Sequence, residues 1–544
     1  MMSSKPNNSR NKTENGADSP EKAKGPFSIF SSQSLWLKLI IIGQMALLGF
    51  QLSPDISTNG DDAVYYILGK SLASGHGYRN LHIVNAQVAT QYPVVFPAFL
   101  AITHFFTDKP LLAKILVMCM GCLVTLCAFY LFGNWLGQSA CALALCLMIG
   151  ASAVLNQHAI ELLSEIPYVL LSLISLLLLE KSYKAPDKKW LFWLTIFVSI
   201  LPMNCRSIGI AFSAAFLLTN LLQKKYKYVL AHFVVVVAAA ILFKMLTSWD
   251  NPYLLQLFQR NSYDPEQGLA SFAEMFTRIT TNIGKYSLEI LPQNSMPSIA
   301  NHNQALSAIL GLIMVFFIAV GCIRNFFLQS RFLSFYALFY CGILSMWQVQ
   351  WSSGRFLAGI LPPLFFLFFI GISWSIAVVF GDKKHAFISR IKTLSGPTLP
   401  AINKIAIICI WVVGLTFTLD ATVFQLENAG LRKQSSRDWE NFNACADWIR
   451  CNTPESAIVV SRKPELVFLR AKRQGMIYQF SHDAEKVIAD IKQKKASYIL
   501  FDGFYWTGTT GKYLYPALVG HPEMYRMVYA LRNPDTFVLE IINK

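Results

Sequence analysis

The chain is 544 residues long, a length that by itself would suggest several soluble domains. Composition excludes that reading, because 54% of the residues are hydrophobic and only 14% are charged. The formal net charge of +16 would indicate nucleic-acid binding in a soluble protein. Here the basic residues collect in alternate loops between apolar stretches, so no nucleic-acid partner is predicted.

The chain opens on a polar stretch, residues 1–33, which is expected to be a disordered cytoplasmic tail. Continuous apolar runs follow, each of about 17–25 residues, the length that crosses the hydrocarbon core of a bilayer. Strands of a membrane β-barrel would alternate instead, so these runs predict helices. The predicted spans are 34–52, 111–133, 138–157, 160–180, 190–203, 207–222, 229–247, 305–323, 332–350, 356–381 and 403–422. The sequence therefore predicts an α-helical polytopic membrane protein of about eleven transmembrane helices within residues 34–424.

Two connections, 53–110 and 248–304, are too long for simple turns and are expected to be functional outer loops. From residue 425 to residue 544 the composition shifts to alternating strand-like and helix-like patterns, which predicts a small soluble α/β domain. Lysine and arginine concentrate in the N-terminal tail and in alternate loops, which the positive-inside rule places in the cytoplasm. The chain is thus expected in the cell (inner or plasma) membrane, with its C-terminal domain extracytoplasmic.

Two adjacent carboxylates, Asp61 and Asp62, lie a few residues past the first predicted span. Ionisable groups at the bilayer are costly and are usually functional. A simpler alternative is that one of them caps the helix that follows. The pair could also hold a divalent cation, although arginines could neutralise a phosphate without one. No other cofactor is indicated.

More polar residues fall at the predicted outer ends of the spans. His158, Glu161 and Glu165 are spaced i, i+3 and i+7, which would place them on one helical face lining a cavity. The alternative is a solvated helix start, where the dipole favours acids. Arg206 and Arg355 each stand alone beside an apolar run. Arginine suits phosphate recognition, although it can also snorkel to headgroups.

Four segments in order carry a resemblance to a known family. They are Asp61-Asp62-Ala63-Val64-Tyr65 followed by Ala73-Ser74-Gly75-His76-Gly77-Tyr78, then Tyr92-Pro93-Val94-Val95-Phe96-Pro97, Leu163-Ser164-Glu165-Ile166-Pro167, and Arg355-Phe356-Leu357-Ala358-Gly359-Ile360-Leu361-Pro362. On these segments the chain resembles the GT-C-type glycosyltransferases that use polyprenyl-phosphate sugars. That superfamily includes protein O-mannosyltransferases and lipid A aminoarabinose transferases. The resemblance covers about residues 34–380.

The resemblance implies inverting transfer of a sugar from a polyprenyl-phosphate donor to an envelope acceptor (a glycan, lipid or protein) on the outer membrane face. Asp61, beside Asp62, would take the proton of the acceptor hydroxyl, and desolvation near other acids would raise its basicity. Arg206 and Arg355 would bind the donor phosphate. Residues expected to contact substrate are Tyr65, Tyr78, Tyr92, His158, Glu161 and Glu165. For the tyrosines, an ordinary interfacial position is the alternative.

Two other classes of function stay open from the sequence. A transporter or flippase of lipid-linked glycans would carry internal symmetry and helices broken at mid-membrane, and the sequence displays little of either. A non-catalytic envelope assembly protein would use the C-terminal domain for docking, and it would tolerate changes at the Asp61-Asp62 pair.

Overall fold

The computed structural model describes residues 32–56, 60–136, 138–246, 252–327, 331–380, 404–430 and 436–542. Most of the predicted N-terminal tail lies outside the described residues. The α-helices are Ser32–Gln51, Asp61–Ala73, Val95–His104, Pro110–Leu136, Ser139–Ala151, Ala153–Ala159, Glu165–Lys184, Lys189–Cys205, Ile210–Leu222, Tyr226–Leu246, Pro252–Phe258, Phe272–Lys285, Leu291–Ser295, Pro297–His302, Gln304–Phe326, Phe332–Met346, Gly354–Ala358, Leu361–Phe380, Lys404–Asn428, Arg437–Asn452, Pro464–Ala471, Ala484–Gln493 and Tyr515–Gly520.

Helices occur at all eleven predicted span positions, which confirms the predicted fold class. Within the described residues, seven of them are long and apolar enough to cross a membrane, and one bent pair would make an eighth span. The other three predicted spans are shorter apolar helices: Lys189–Cys205, Ser207–Leu222 and Phe332–Met346. A further short apolar helix, Val95–His104, lies in the first predicted outer loop. The chain is a multi-pass membrane protein.

The third predicted span is broken, which the sequence analysis did not predict. The helices Ser139–Ala151 and Ala153–Ala159 meet at an angle of 58°. Asn156 donates from Nδ2 to the carbonyl oxygen of Gly150 at 3.0 Å and to Gln425 Oε1 at 3.1 Å. Gln425 in turn donates from Nε2 to the carbonyl oxygen of Ala151 at 2.7 Å. These buried amides satisfy carbonyl groups that the break would otherwise leave without hydrogen bonds.

The C-terminal domain is built on a five-stranded mixed sheet with the order β2-β1-β3-β5-β4. Its strands are β1 (Val459–Val460), β2 (Gly475–Met476), β3 (Tyr498–Phe501), β4 (Tyr525–Leu531) and β5 (Thr536–Ile541). Strand β1 runs parallel to β2 and β3, whereas β5 is antiparallel to β3 and β4. The Arg437–Asn452 helix packs on one face of the sheet, burying Phe442 and Ile449 against Leu500 and Val538.

Two cysteines outside the predicted spans, Cys445 and Cys451, are not bonded to each other. Both lie in the Arg437–Asn452 helix, Cys445 buried and Cys451 exposed. Positions six apart on one helix point to different sides, so a disulfide between them has no geometric basis.

The first long loop is attached to the edge of this sheet. Gly475 N, in β2, donates to the carbonyl oxygen of His82 at 2.8 Å, and Ile83 forms a parallel bridge with Gly475. Gln474 donates from Nε2 to the carbonyl oxygen of Leu81 at 3.2 Å. The 53–110 loop and the C-terminal domain therefore lie on the same side of the apolar helices, and the Asp61–Ala73 helix lies next to the domain.

Candidate active site

Asp61 begins the Asp61–Ala73 helix and sits on the side of the molecule that faces the C-terminal domain. Gly60 occupies the N-cap position, so Asp61 is the first residue of the helix rather than its cap. The Asp62 side chain is the one that accepts a hydrogen bond from a first-turn N–H, that of Ala63. Gly60 has φ 87°, and a Cβ there would collide with Lys463 Nζ and Glu465 Oε1. The left-handed backbone conformation favours glycine at residue 60, whereas the colliding atoms are the ends of flexible side chains of the C-terminal domain that could move.

The Asp61 carboxylate is held by two side chains from distant parts of the sequence. Tyr92 OH donates to Oδ1 at 2.8 Å, and Arg355 Nη1 lies 2.6 Å from Oδ2. Burial by itself would raise the pKa of Asp61, but the charge of Arg355 and the hydrogen bond from Tyr92 outweigh it and hold the pKa below its usual range. Desolvation thus acts in the expected direction, but Arg355 and Tyr92 reverse the net shift, so Asp61 is not more basic than usual in this arrangement.

Glu165 links the two predicted phosphate-binding arginines. Arg355 donates from Nε to Glu165 Oε1 at 2.5 Å, and Arg206 Nη1 lies 2.5 Å from the same oxygen. Arg206 also donates to Ser164 Oγ at 3.2 Å. Glu165 is fully buried and both guanidinium groups are largely buried, so neither arginine extends to lipid headgroups as the snorkelling alternative requires.

Three tyrosines predicted to bind substrate form the wall beside Asp61. Tyr65 packs on Tyr92 with ring centroids 4.7 Å apart, and its hydroxyl lies 3.0 Å from Ser164 Oγ. Tyr78 OH donates to the carbonyl oxygen of Tyr92 at 2.7 Å. Tyr65 and Tyr92 are buried, so they are not lipid-facing interfacial aromatics. Their hydrogen bonds fix the loop that brings Tyr92 to the carboxylate.

The other predicted acids form a second group around Lys114. Asp62 is fully buried and accepts from its neighbour Ala63 N at 2.9 Å. Lys114, also buried, interacts electrostatically with Asp62 and Glu161 and donates from Nζ to the carbonyl oxygen of Ser53 at 3.0 Å. Lys114 was not predicted, although a single lysine at the start of an apolar helix is a recognisable signal.

The expectation that His158, Glu161 and Glu165 share one helical face is wrong. The Ala153–Ala159 helix ends after His158, and a new helix begins at Glu165. His158 Nδ1 lies 3.3 Å from Glu161 Oε2, whereas Glu165 faces the arginines. Glu165 is also not a solvated helix start, because its side chain has no exposed surface.

Two buried polar atoms at this junction have no partner among the described residues. They are His158 Nε2 and Glu165 Oε2, on side chains that are 4% and 0% exposed. A buried polar atom without a hydrogen bond is costly, so such atoms typically mark the place of a bound water or a polar ligand group.

The carboxylates do not fit a metal site. Asp61 is already paired with Arg355, and Asp62, the next residue on the helix, belongs to the Lys114 group. Within the described ranges, no three or more His, Cys, Asp or Glu side chains come together as metal ligands. A basic residue lies beside each aspartate, Arg355 beside Asp61 and Lys114 beside Asp62, and this is an unfavourable environment for a divalent cation.

Lys463 and Glu465 are site residues that the sequence analysis missed. Lys463 interacts electrostatically with Asp61, and its Nζ lies 3.6 Å from Glu465 Oε1. Burial raises the pKa of Glu465, although Lys463 opposes the shift. Nothing in the local sequence around either residue signals a contact with Asp61, because the tertiary fold alone brings the C-terminal domain there.

Comparison with known proteins relates this fold to solved membrane enzymes. No protein-family model and no curated protein matches the chain by sequence. ArnT from Cupriavidus metallidurans, solved bound to undecaprenyl phosphate, is similar with a TM-score of 0.57 and 12% sequence identity, over 94% of this chain and 99% of that one. The Archaeoglobus fulgidus oligosaccharyltransferase in its apo form has a TM-score of 0.53 and 11% identity, over 86% of this chain and 69% of that one.

At these identities the comparison establishes the fold. The chain has the GT-C architecture of apolar helices followed by a C-terminal domain, as the resemblance of the four sequence segments implied. The likeness to ArnT extends over nearly the whole of both chains, so it includes the C-terminal domain as well as the membrane helices.

Proposed function

We propose that this protein is an inverting glycosyltransferase that moves a sugar from a polyprenyl-phosphate donor to an envelope glycan, lipid or protein. The observation that carries the proposal is the chain of ion pairs from Asp61 through Arg355 and Glu165 to Arg206. It joins four distant segments into one site that contains a carboxylate base and two cations. The fold supports the donor class, because ArnT of the same fold has been solved with undecaprenyl phosphate.

The two arginines are suited to stabilise the leaving group. In the transfer, the acceptor oxygen forms a bond to the anomeric carbon while the bond from that carbon to the phosphate oxygen breaks, and the electron pair leaves with the lipid phosphate. Arg206 and Arg355 would bind the charge that develops on that phosphate. Glu165 holds both guanidinium groups at one oxygen, so they are oriented before the donor arrives.

Asp61 would act as the general base, and donor binding would activate it. Without donor, Arg355 neutralises Asp61 and makes it a weak base. A donor phosphate would compete with Asp61 for the Arg355 guanidinium. Once the guanidinium binds the phosphate, Asp61 would be a partly buried carboxylate without its cation, and its pKa would rise. Asp61 would then be basic only when a donor is bound.

This coupling makes a prediction about pH. Asp61 must be ionised to act, so the rate should fall as the pH drops through its pKa. The pH profile of kcat/KM for the donor reports pKa values of the free enzyme. The pH profile of kcat reports pKa values of the enzyme with donor bound. We expect the acid limb of kcat/KM to lie at lower pH than that of kcat, because Arg355 lowers the pKa of Asp61 only before donor binds. Acid limbs at the same pH would contradict activation by the donor.

The site is expected on the outer side of the cell membrane, with the N-terminus in the cytoplasm. The lysine-rich alternate loops support this orientation, and the C-terminal domain shares the side of Asp61 through its contacts with the 53–110 loop. Reporter fusions at residues 1 and 544 should report opposite sides. If both fusions report the same side, the chain crosses the membrane an even number of times, and the predicted eleven spans would be wrong.

The direct test is transfer of radiolabelled sugar from a polyprenyl-phosphate donor by the purified chain in lipid nanodiscs. Release of label that depends on Asp61 and Arg355 would support the transferase. A flippase of lipid-linked glycans would instead move the intact donor between leaflets without cleaving it. An assembly protein would do neither, and it would keep its function when the two aspartates are replaced.

A further inference from the structure

The C-terminal domain presents a cation next to Lys463 that forms no direct ion pair among the described residues, although it interacts electrostatically with the carboxylates of Asp502 and Glu465. Arg462 follows β1 and stands next to Lys463 in the sequence. Its Nε donates to Thr509 Oγ1 at 3.0 Å and, more weakly, to Thr507 Oγ1 at 3.4 Å. Across the described part of the chain no acid forms an ion pair with Arg462, and neither Nη atom has a hydrogen-bond partner there. The fork of the guanidinium is left open to bind an anion.

The side chain of Arg462 is held in place by its neighbours. Its guanidinium carbon lies 5.2 Å from the centre of the Trp506 ring and 5.4 Å from that of Phe480. Thr509, which accepts the hydrogen bond from Arg462, is itself held by a hydroxyl network. Its Oγ1 lies 3.0 Å from Tyr478 OH, and Tyr478 OH lies 2.8 Å from Thr510 Oγ1. Thr510 donates to the buried carboxylate of Asp502 at 3.0 Å. A guanidinium fixed in this way loses little further freedom when an anion binds.

Trp506, whose ring lies next to this cation, is partly exposed, and it follows the exposed Tyr505 in the sequence. Tyr505 is 80% exposed and Trp506 is 45% exposed, both on the segment that leads from β3 to the threonines. Exposed aromatic surface can form a binding site, and the apolar C–H face of a sugar ring packs well against an aromatic ring. An open guanidinium next to a partly exposed aromatic ring is therefore suited to a sugar that carries a negative group.

Lys463 connects this surface to Asp61. Its Nζ lies 5.1 Å from the centre of the Trp506 ring, and it also interacts with Asp61. A sugar on Trp506 would thus lie beside the same lysine that interacts with the base. We propose that Arg462 and Trp506 form an acceptor subsite for a sugar bearing a carboxylate or a phosphate; its role as an acceptor site rests on the proposed transferase function.

The test measures binding to the full chain in nanodiscs without any donor. The probes are trigalacturonate, which carries carboxylates, and glucose 6-phosphate, which carries a phosphate, each paired with a neutral counterpart, maltotriose or glucose. We expect at least one anionic probe to bind more tightly than its neutral counterpart, and the preferred probe identifies the anionic group. Loss of a charge-assisted hydrogen-bond pair in Arg462→Gln should weaken that binding about tenfold or more.

A matched control is Arg526→Gln, because Arg526 is an exposed arginine of the same domain that is already paired with Glu540 at 2.6 Å. It should leave binding unchanged, whereas Trp506→Ala should weaken both the anionic and the neutral sugar. Unchanged binding in Arg462→Gln would overturn the proposal, as would equal binding of charged and neutral sugars, or no binding of either anionic sugar. Tighter binding of an acidic peptide than of any sugar would also overturn it.

The sugar-binding test and the sugar-transfer test can succeed or fail independently of each other. Anionic sugars that bind through Arg462 while no donor is ever cleaved would leave this site standing and refute the transferase. Donor cleavage that depends on Asp61, together with failure of sugar binding at Arg462, would refute only the subsite.

Discussion

Asp61→Asn is expected to slow sugar transfer by about 10²–10⁴-fold, the range that general base catalysis contributes. Asparagine keeps the size of the side chain and can still accept the hydrogen bond from Tyr92 OH, but it cannot take a proton from the acceptor hydroxyl. The measurement is the initial rate of transfer from a radiolabelled polyprenyl-phosphate sugar at saturating donor. Protein insertion and thermal stability should be compared in the same preparations.

The matched control for this change is Asp108→Asn. Asp108 is an exposed aspartate of the same loop region that pairs with Lys70 at 2.8 Å, and its replacement should leave the rate unchanged. A near-normal rate in Asp61→Asn, with Asp62→Asn inactive, would transfer the role of base to Asp62. Normal rates in both variants would remove the general-base proposal altogether.

Arg355→Ala is expected to abolish measurable transfer while the protein still inserts into the membrane. Loss of one pre-oriented donor to a developing anion typically costs about 10²–10³-fold in rate. Here the change would also release both Asp61 and Glu165 from the ion pairs that orient them. Arg355→Lys should recover activity only in part, because an ammonium is a point charge without the planar fork that contacts both carboxylates.

Arg260→Ala is a suitable control, since Arg260 is a half-exposed arginine that pairs with Glu274 away from the site. It should leave transfer unchanged. Full activity in Arg355→Ala would contradict phosphate binding by this residue. A variant that fails to insert would leave Arg355→Lys as the informative comparison, because it retains a positive charge beside the buried Glu165.

The sequence predicted well what depends on local pattern. Long apolar runs located the membrane helices, and alternation after residue 425 predicted the small α/β domain. Asp61, Arg206, Arg355 and Glu165 were all singled out as ionisable residues at the predicted outer ends of apolar helices, where charge is costly. The structure places these four in one network of ion pairs, which their positions in the sequence could not specify.

What the sequence analysis missed depends on helix breaks and on distant contacts. The spacing of His158 and Glu165 was interpreted as one helical face. However, Ser164, Glu165 and Pro167 together signal a helix start, with an acid and a proline in the first turn. That signal could have been used. The approach of Lys463 to Asp61 could not have been found, since it depends on how the C-terminal domain docks.

The pairing of the first long loop with β2 bears on how the C-terminal domain can be handled experimentally. Strand β2 is at the edge of the sheet, and its Gly475 N is satisfied by the carbonyl oxygen of His82. An edge strand with unpaired backbone groups is a template for association with other chains. A fragment limited to residues 436–542 would expose that edge and would be expected to self-associate. Soluble fragments of this domain should therefore carry residues 78–89 as well, so that the loop can cover the edge of the sheet.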